Sequence, residues 1–407
     1  MGISIGMVGL GSFGTAFADM FMSHPMVDRI ALCDREPDRM APYLHKESWR
    51  AKLKPTDLYP SLDEILRTDL DALVIITQPW LHAEQCMKAL EAGKHVYSAV
   101  PIVSLPDGQE ILDWCDRLVE TCRRTGLHYM LGETTYYRPT AQFCRRMAAQ
   151  GAFGDFVYAE GEYFHDVDCP GCDLREVQRS RTSSTSGKEW LEEEKRYERR
   201  GVEGGPMHYP THSTSGPVSV MRAHAVKVTC YGYRNRNGDG YFGNGQISNE
   251  TALFEMSNGA AVRICEFREC AGELGMDGET FRIMGTRATF RENQWICNHR
   301  DTPPADMSKF ERVTLTDEEM FEPLPPEVAA AFKDALGIQG EGDFIPSGHG
   351  GSHPYLVHEF VDAVAHDRHP TTNIWEAARY MVMGVMAHQS ALKDGERLDV
   401  PDWGDAP

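Results

Sequence analysis

Over roughly the first 130 positions, short apolar runs alternate with stretches of helical spacing. Residues 3–8, 30–33, 72–76, 95–98 and 128–131 read as strands, and residues 12–22, 80–92 and 105–124 carry helical periodicity. Strands separated by helices predict a parallel, doubly wound sheet, an α/β Rossmann domain over residues 1–133. Past Thr134 the period shortens to alternation. Residues 156–165, 252–256 and 281–284 alternate, and 261–267 follows 252–256 across a Ser257-Asn258-Gly259 turn. Strands in succession with few helices between them predict an α+β second domain over residues 134–353, built on a large, open, mostly antiparallel sheet. Its uncovered face suits a homodimer or homotetramer contact. Residues 354–407 regain helical spacing, through Val357, Phe360, Val361 and Val364, then Ala377, Met381 and Val385, which predicts two helices packing back on the body. Residues 180–187, rich in Ser and Thr, the charged stretch 190–200 and the Pro-rich acidic stretch 302–326 read as surface excursions.

Composition narrows the partner. A chain of 407 residues with 41% hydrophobic content buries a sizeable core, and a net charge of −20 disfavours nucleic acid and anionic membranes. A small molecule is expected. Eleven cysteines form no regular framework, no leader precedes the first strand, and no apolar run reaches a membrane-spanning length. These features predict a cytoplasmic protein that does not engage a membrane. Arg179, Arg181, Lys188, Arg196, Arg199 and Arg200 stand out in so acidic a chain. They read either as a solvated helix face interleaved with Glu192, Glu193, Glu194 and Glu198, or as a surface for an anionic sugar, whose oxyanions guanidinium forks match.

Gly9-Leu10-Gly11-Ser12-Phe13-Gly14 follows the first strand and opens the first helix. Glycines there permit a tight turn and let a pyrophosphate approach backbone N–H groups at the positive end of a helix, so Gly9, Gly11, Ser12, Phe13 and Gly14 are candidate cofactor residues. Asp34, at the end of the second strand, can accept from a ribose diol and repel a 2′-phosphate, which favours NAD; Arg35 beside it is the counter-signal. Thr77, Pro79 and His82 lie where a crevice opens beyond the strand at residues 72–76, although His82 also fits a plain helix surface.

The glycine loop, Thr77-x-Pro79-x-x-His82, Ala92-Gly93-Lys94-His95-Val96 and the helix after Arg138-Pro139 together resemble the Gfo/Idh/MocA superfamily of NAD(P)-dependent sugar oxidoreductases over nearly the whole chain. In its dehydrogenases Gly-Lys-His-Val is followed by Glu-Lys-Pro, whose lysine transfers protons; this chain has Ala99-Val100-Pro101. A branch with valine at that place, the NAD-dependent glycosidases of family 109, is similar at further points. These are Glu133, the segment 159–166 with Tyr163, Tyr209-Pro210-Thr211-His212, Gly216-Pro217 and His349-Gly350-Gly351. Ser213-Thr214-Ser215, Ala99 and residues 169–200 depart from the branch.

The resemblance implies glycoside cleavage by redox activation, outside the two-carboxylate scheme. Oxidation at C3 acidifies the C2–H; the C1 substituent then leaves by elimination, water adds, and the hydride returns. His212 suits a base at C3 because imidazole titrates near neutrality. Tyr163 or Tyr209 suits C2 or C1 if neighbours make the phenol more acidic. Val100 and Glu133 join the cofactor-side set, and Tyr137 and His349 the substrate set. A sugar or cyclitol dehydrogenase is the alternative. His165, Asp166, His208 and the Cys169-x-x-Cys172 spacing invite a metal reading, but no paired-histidine motif accompanies them and no metal is expected.

Overall fold

The computed structural model describes residues 2–170, 173–242, 245–272, 278–298, 310–338 and 344–407. The first sheet has six parallel strands: β1 (Ile3–Val8), β2 (Val27–Cys33), β3 (Leu58–Tyr59), β4 (Ala72–Ile75), β5 (His95–Ser98) and β6 (Tyr129–Leu131). Their order, β3-β2-β1-β4-β5-β6, is that of a dinucleotide-binding sheet, with the crevice opening between β1 and β4 where the winding direction reverses. β1 is apolar on both faces because helices cover both. On one side lies α1 (Ser12–Ser23); on the other lie α3 (His82–Glu91) and α4 (Gly108–Thr125), with the short α2 (Leu62–Ile65) beside β3.

After α5 (Pro139–Ala149) comes a nine-stranded sheet. Its strands are β7 (Phe156–Phe164), β8 (Ala225–Arg234), β9 (Ile247–Met256), β10 (Ala261–Phe267), β11 (Glu279–Gly285), β12 (Ala288–Arg291), β13 (Gln294–Cys297), β14 (Glu311–Thr314) and β15 (Leu398–Asp399). The order is β14-β13-β12-β11-β7-β10-β9-β8-β15, and every pair is antiparallel except β7 with β10. α8 (Thr211–Met221) is buried along its whole length against the inner face of β7 and β11, which is why its sequence shows no amphipathic stripe.

The stretch read as a surface excursion between residues 180 and 200 belongs to a helical hairpin, α6 (Leu174–Ser183) and α7 (Thr185–Arg200), and the second of these is a mostly exposed helix, as the solvated-face reading of its charges has it. The Ser/Thr run contains its turn: Ser184 is the N-cap of α7, its hydroxyl accepting from Gly187 N at 3.0 Å. The acidic stretch holds β14 and a four-residue helix, α9 (Asp317–Met320), followed by α10 (Pro326–Ala335); residues 302–309 of it lie outside the described residues. Two final helices, α11 (His353–Ala365) against α1 and α12 (Ile374–Leu392) against α4, α8 and β8, tie both sheets together. Among the described residues no helix is long and apolar enough to cross a membrane.

Candidate active site

The glycine loop is shaped by space rather than by flexibility. A Cβ on Gly9 (φ 92°) would lie 2.2 Å from the Ile76 carbonyl oxygen, and one on Gly14 would lie 2.2 Å from that of Gly9, so β1, β4 and α1 meet only without side chains there. Gly11 faces open space. It is the N-cap of α1, and no side chain caps that helix, so its first-turn N–H groups, from Ser12 and Phe13 onward, are left for a ligand. Asp34 is buried at the end of β2, holding Leu10 N at 2.8 Å and Glu36 N at 2.9 Å. The carboxylate therefore fixes the loop and stands at the ribose position. Arg35, the counter-signal for a 2′-phosphate, is turned to Glu189 of α7 in a two-pronged pair at 2.8 and 2.9 Å. An open glycine, an uncapped helix start and a carboxylate ending β2 together fit NAD.

Not every expected cofactor residue faces the crevice. His82 is buried, its Nδ1 2.9 Å from the Pro101 carbonyl and its Nε2 3.3 Å from that of Thr77, and burial lowers its pKa to about 4. Neutral at working pH, it ties the loops after β4 and β5 together instead of lying on a helix surface. Thr77 donates to Gln85 at 2.6 Å, and Pro79 reaches the rim of the adjoining cavity.

The proton-handling groups converge from distant segments. Pro210 precedes α8 and places His212 in its first turn. His212 Nδ1 stands 2.9 Å from Glu133 Oε1 and 3.9 Å from Glu279 Oε2, and Arg138 pairs with Glu279 at 2.6 Å. Two buried carboxylates thus face one guanidinium and one imidazole, a set that is neutral when His212 is protonated. Burial alone would lower the His212 pKa; Glu133 and Glu279 outweigh it and lift the value to about 9. The expected titration near neutrality is displaced upward by these carboxylates. For Glu133 burial works upward, but the imidazole and its hydrogen bonds prevail and hold the carboxyl low.

Tyr163 approaches the imidazole edge-on, ring centres 5.2 Å apart, and Tyr209 lies 5.5 Å away on another side. This closeness depends on Gly161, two residues before Tyr163 on the same face of β7: a Cβ there would fall 1.8 Å from the Ser213 carbonyl oxygen. Pro217 has no N–H to give that carbonyl, so the helix presents it bare to the strand. Tyr163 Oη meets His165 Nδ1 at 2.6 Å, and Tyr209 Oη donates to the Val100 carbonyl at 3.3 Å. Burial raises both phenols rather than acidifying them. The opposing influence on Tyr163 comes from Arg268, whose guanidinium lies 4.3 Å over its ring and pairs with Glu266 at 2.8 Å. Glu266 is buried and also holds Ser213 Oγ; burial pushes its carboxyl up to about 7.

Beside this cluster is a cavity of about 490 Å³. Tyr163, Tyr209 and Arg268 line one side, Trp80 and Pro106 another, and the α6–α7 hairpin a third. His349 stands edge-on to Phe13 at 5.3 Å, where it feels the charge of His212 and Glu133, so it bridges the glycine loop and the cluster. Tyr137 is not brought to the cluster: its hydroxyl bonds Thr371 at 2.6 Å and its ring stacks near Tyr355. Glu279, Glu266 and Arg268 escaped the sequence reading. One signal was available, since Glu266 and Glu279 occupy core-facing register positions with Ile264 and Phe281, where an ionisable side chain needs a partner. Among the described residues no cluster of three or more His, Cys, Asp or Glu is arranged to hold a metal, and Cys172 lies outside them.

Sheet order, glycine loop and Asp34 define an NAD-binding oxidoreductase fold. Residues 3–133 match the profile described as the oxidoreductase family with an NAD-binding Rossmann fold, GFO_IDH_MocA. A glycosyl hydrolase family 109 protein of Solibacter usitatus is 24% identical over 438 aligned positions, covering 98% of this chain and 88% of its own. Another of that name from Shewanella pealeana is 28% identical over 170 positions, spanning 40% of this chain and only 36% of the relative. Among solved structures, levoglucosan dehydrogenase in complex with NADH and levoglucosan superposes with a TM-score of 0.69 at 16% identity, covering 99% of this chain and all of the other. That likeness concerns the fold.

Proposed function

We propose that this protein is a NAD-dependent glycoside hydrolase that acts by transient C3 oxidation, C2 deprotonation, elimination of the C1 substituent, water addition and re-reduction. One observation carries the reading: Val100, 8% exposed, stands at the crevice where the superfamily's dehydrogenases carry lysine, while proton-transfer groups arrive from the second domain. The near full-length likeness to proteins named glycosyl hydrolase family 109 supports it. NAD supplies the acceptor and donor of hydride. His212, backed by Glu133 and Glu279, takes the proton of the C3 hydroxyl. Burial outweighs Arg268 and keeps the Tyr163 phenol protonated, so in this reading Tyr163 takes the C2 proton only as its own hydroxyl proton passes to His165 Nδ1, 2.6 Å away. Tyr209, protonated at rest, suits donation to the departing C1 oxygen. His349, between the glycine loop and this cluster, completes the substrate side of the proposal, from which Tyr137, bonded to Thr371 away from the cluster, drops out.

Turnover of a glycoside panel in heavy water, followed by NMR of the product, tests the scheme. Expected are deuterium at C2 of the released sugar and no net NADH. Stoichiometric NADH without sugar release would instead establish a sugar dehydrogenase. The reading takes the enzyme to be cytoplasmic and to form a homodimer or homotetramer through the open sheet face, where Tyr231, Tyr233 and Leu253 are exposed. A monomer in sedimentation at micromolar concentration would refute that assembly.

A further inference from the structure

The α6–α7 hairpin lies where the chain departs from the family 109 pattern, and it forms one wall of the 490 Å³ cavity beside the proton-handling cluster. Three of its first helix's side chains are arginines. Arg175 is held by Asp168 and Asp239 at 2.7 and 2.6 Å, and Arg179 by Glu176 at 2.9 Å. The third, Arg181, has no hydrogen-bond or ion-pair partner for its guanidinium among the described residues, and it is the one that lines the cavity. It lies close enough to Tyr209, Tyr241 and His82 for its charge to act on all three. The cavity is lined by a second guanidinium, Arg268, fixed by Glu266, and its charge also reaches Tyr209 and Tyr241.

The cavity also contains carboxylates, Glu194 and Glu198 of α7. In an antiparallel hairpin turning at Ser184, Arg181 is three residues from the turn and Glu194 ten, a separation of roughly 10 Å along the helix axes at 1.5 Å per residue. That is about one screening length, so the acidic end does not neutralise Arg181. Among the other lining residues are aromatic and amide side chains, Trp80, Trp190, Tyr241, Gln178 and Gln246, which suit the face and edge of a sugar ring. In a chain of net charge −20, an unpaired guanidinium beside a buried phenol has an anion as its natural counterpart.

We infer that the cavity is a subsite for a sugar carrying an oxyanion, a carboxylate, sulfate or sulfonate, with Arg181 as its partner and Arg268 completing the positive wall. The inference rests on the proposed function only in taking the ligand to be a sugar, and binding rather than turnover tests it. NAD-loaded protein is titrated calorimetrically at about 0.1 M salt with glucuronic and galacturonic acids, glucose 6-sulfate, glucose and galactose. At least one acidic sugar should bind about tenfold tighter than its neutral counterpart, and Arg181→Gln should abolish the preference while Arg181→Lys keeps part of it. The uronic and sulfate arms separate a planar from a tetrahedral oxyanion. Arg181 is exposed, so the variants should fold, with an unchanged melting temperature as the check. Equal binding of acidic and neutral sugars overturns the inference. So does an Arg181→Gln protein that loses NAD affinity as much as acid affinity, since Arg181 would then serve the cofactor. Sugar release and NADH yield, measured separately, decide the hydrolase reading whatever the binding result.

Discussion

At His212 the deciding quantity is the balance between burial and two carboxylates. Burial favours the neutral ring, Glu133 and Glu279 favour the cation, and the carboxylates win by enough to place the pKa at about 9. A base works only when deprotonated, so kcat/KM should climb with pH toward about 9. Glu133→Gln removes the larger of the two favourable charges and should move that rising limb down by roughly a unit or more. An unmoved limb would show that another group titrates. His212→Gln should lower kcat by about 10²–10⁴-fold with NAD still bound, and near-normal turnover would remove His212 from the mechanism. The same shift has a stability side. A pKa raised in the fold stabilises fully below the unfolded value of about 6.5, and that contribution is lost as pH rises through about 9. The melting-temperature gap between wild type and His212→Gln should therefore narrow between pH 6 and pH 10.

At the scale of elements, the contact that assembles the cluster is β7 against α8. Gly161→Ala puts a methyl group where the Ser213 carbonyl oxygen sits, and backbone cannot yield as a side chain end can. A loss of about 1–3 kcal/mol is expected from overpacking, and kcat should fall further than stability because Tyr163 and His212 are pushed apart. Equal kcat in a well-folded Gly161→Ala protein would contradict that dependence. This contact also marks the boundary of what the sequence discloses. The strand at His95–Ser98 and the glycine loop were legible because periodicity and turn chemistry are local signals. His212 and Tyr163 were legible through their segments, but Glu279 and Arg268 were not, since their role depends on a sheet register that only the folded chain sets. The charges of α7 were legible as a solvated helix face, but the hairpin and its turn were not, because it contributes only Gly187 and Tyr197 as buried residues and leaves no apolar stripe; its capping residues Asp173 and Ser184 were the available signal.

Across the whole molecule, α7 runs along the carboxyl edge of the parallel sheet, meeting in turn the loops after β2, β4 and β5. Glu189 pairs with Arg35, Trp190 stacks on Trp80 with ring centres 5.1 Å apart and planes 16° from parallel, and Arg200 pairs with Asp107 and Glu110. The helix α7 thus bridges the loops around the crevice fitted to NAD, and we expect release of a cofactor bound there to require those contacts to part. They are not equal. The Arg35–Glu189 pair is more than half exposed on both sides, so screening leaves it worth about 1 kcal/mol or less. The indole stack combines burial with ring geometry, the latter alone worth about 0.5–1.5 kcal/mol. Trp190→Ala should therefore speed NAD dissociation by about tenfold, and Glu189→Gln by only a few-fold with an effect that fades as salt is raised. Stopped-flow release of NADH from the two variants measures both. If Trp190→Ala leaves the rate unchanged, the hairpin does not control cofactor exit, and its contribution to the site is confined to the sugar side.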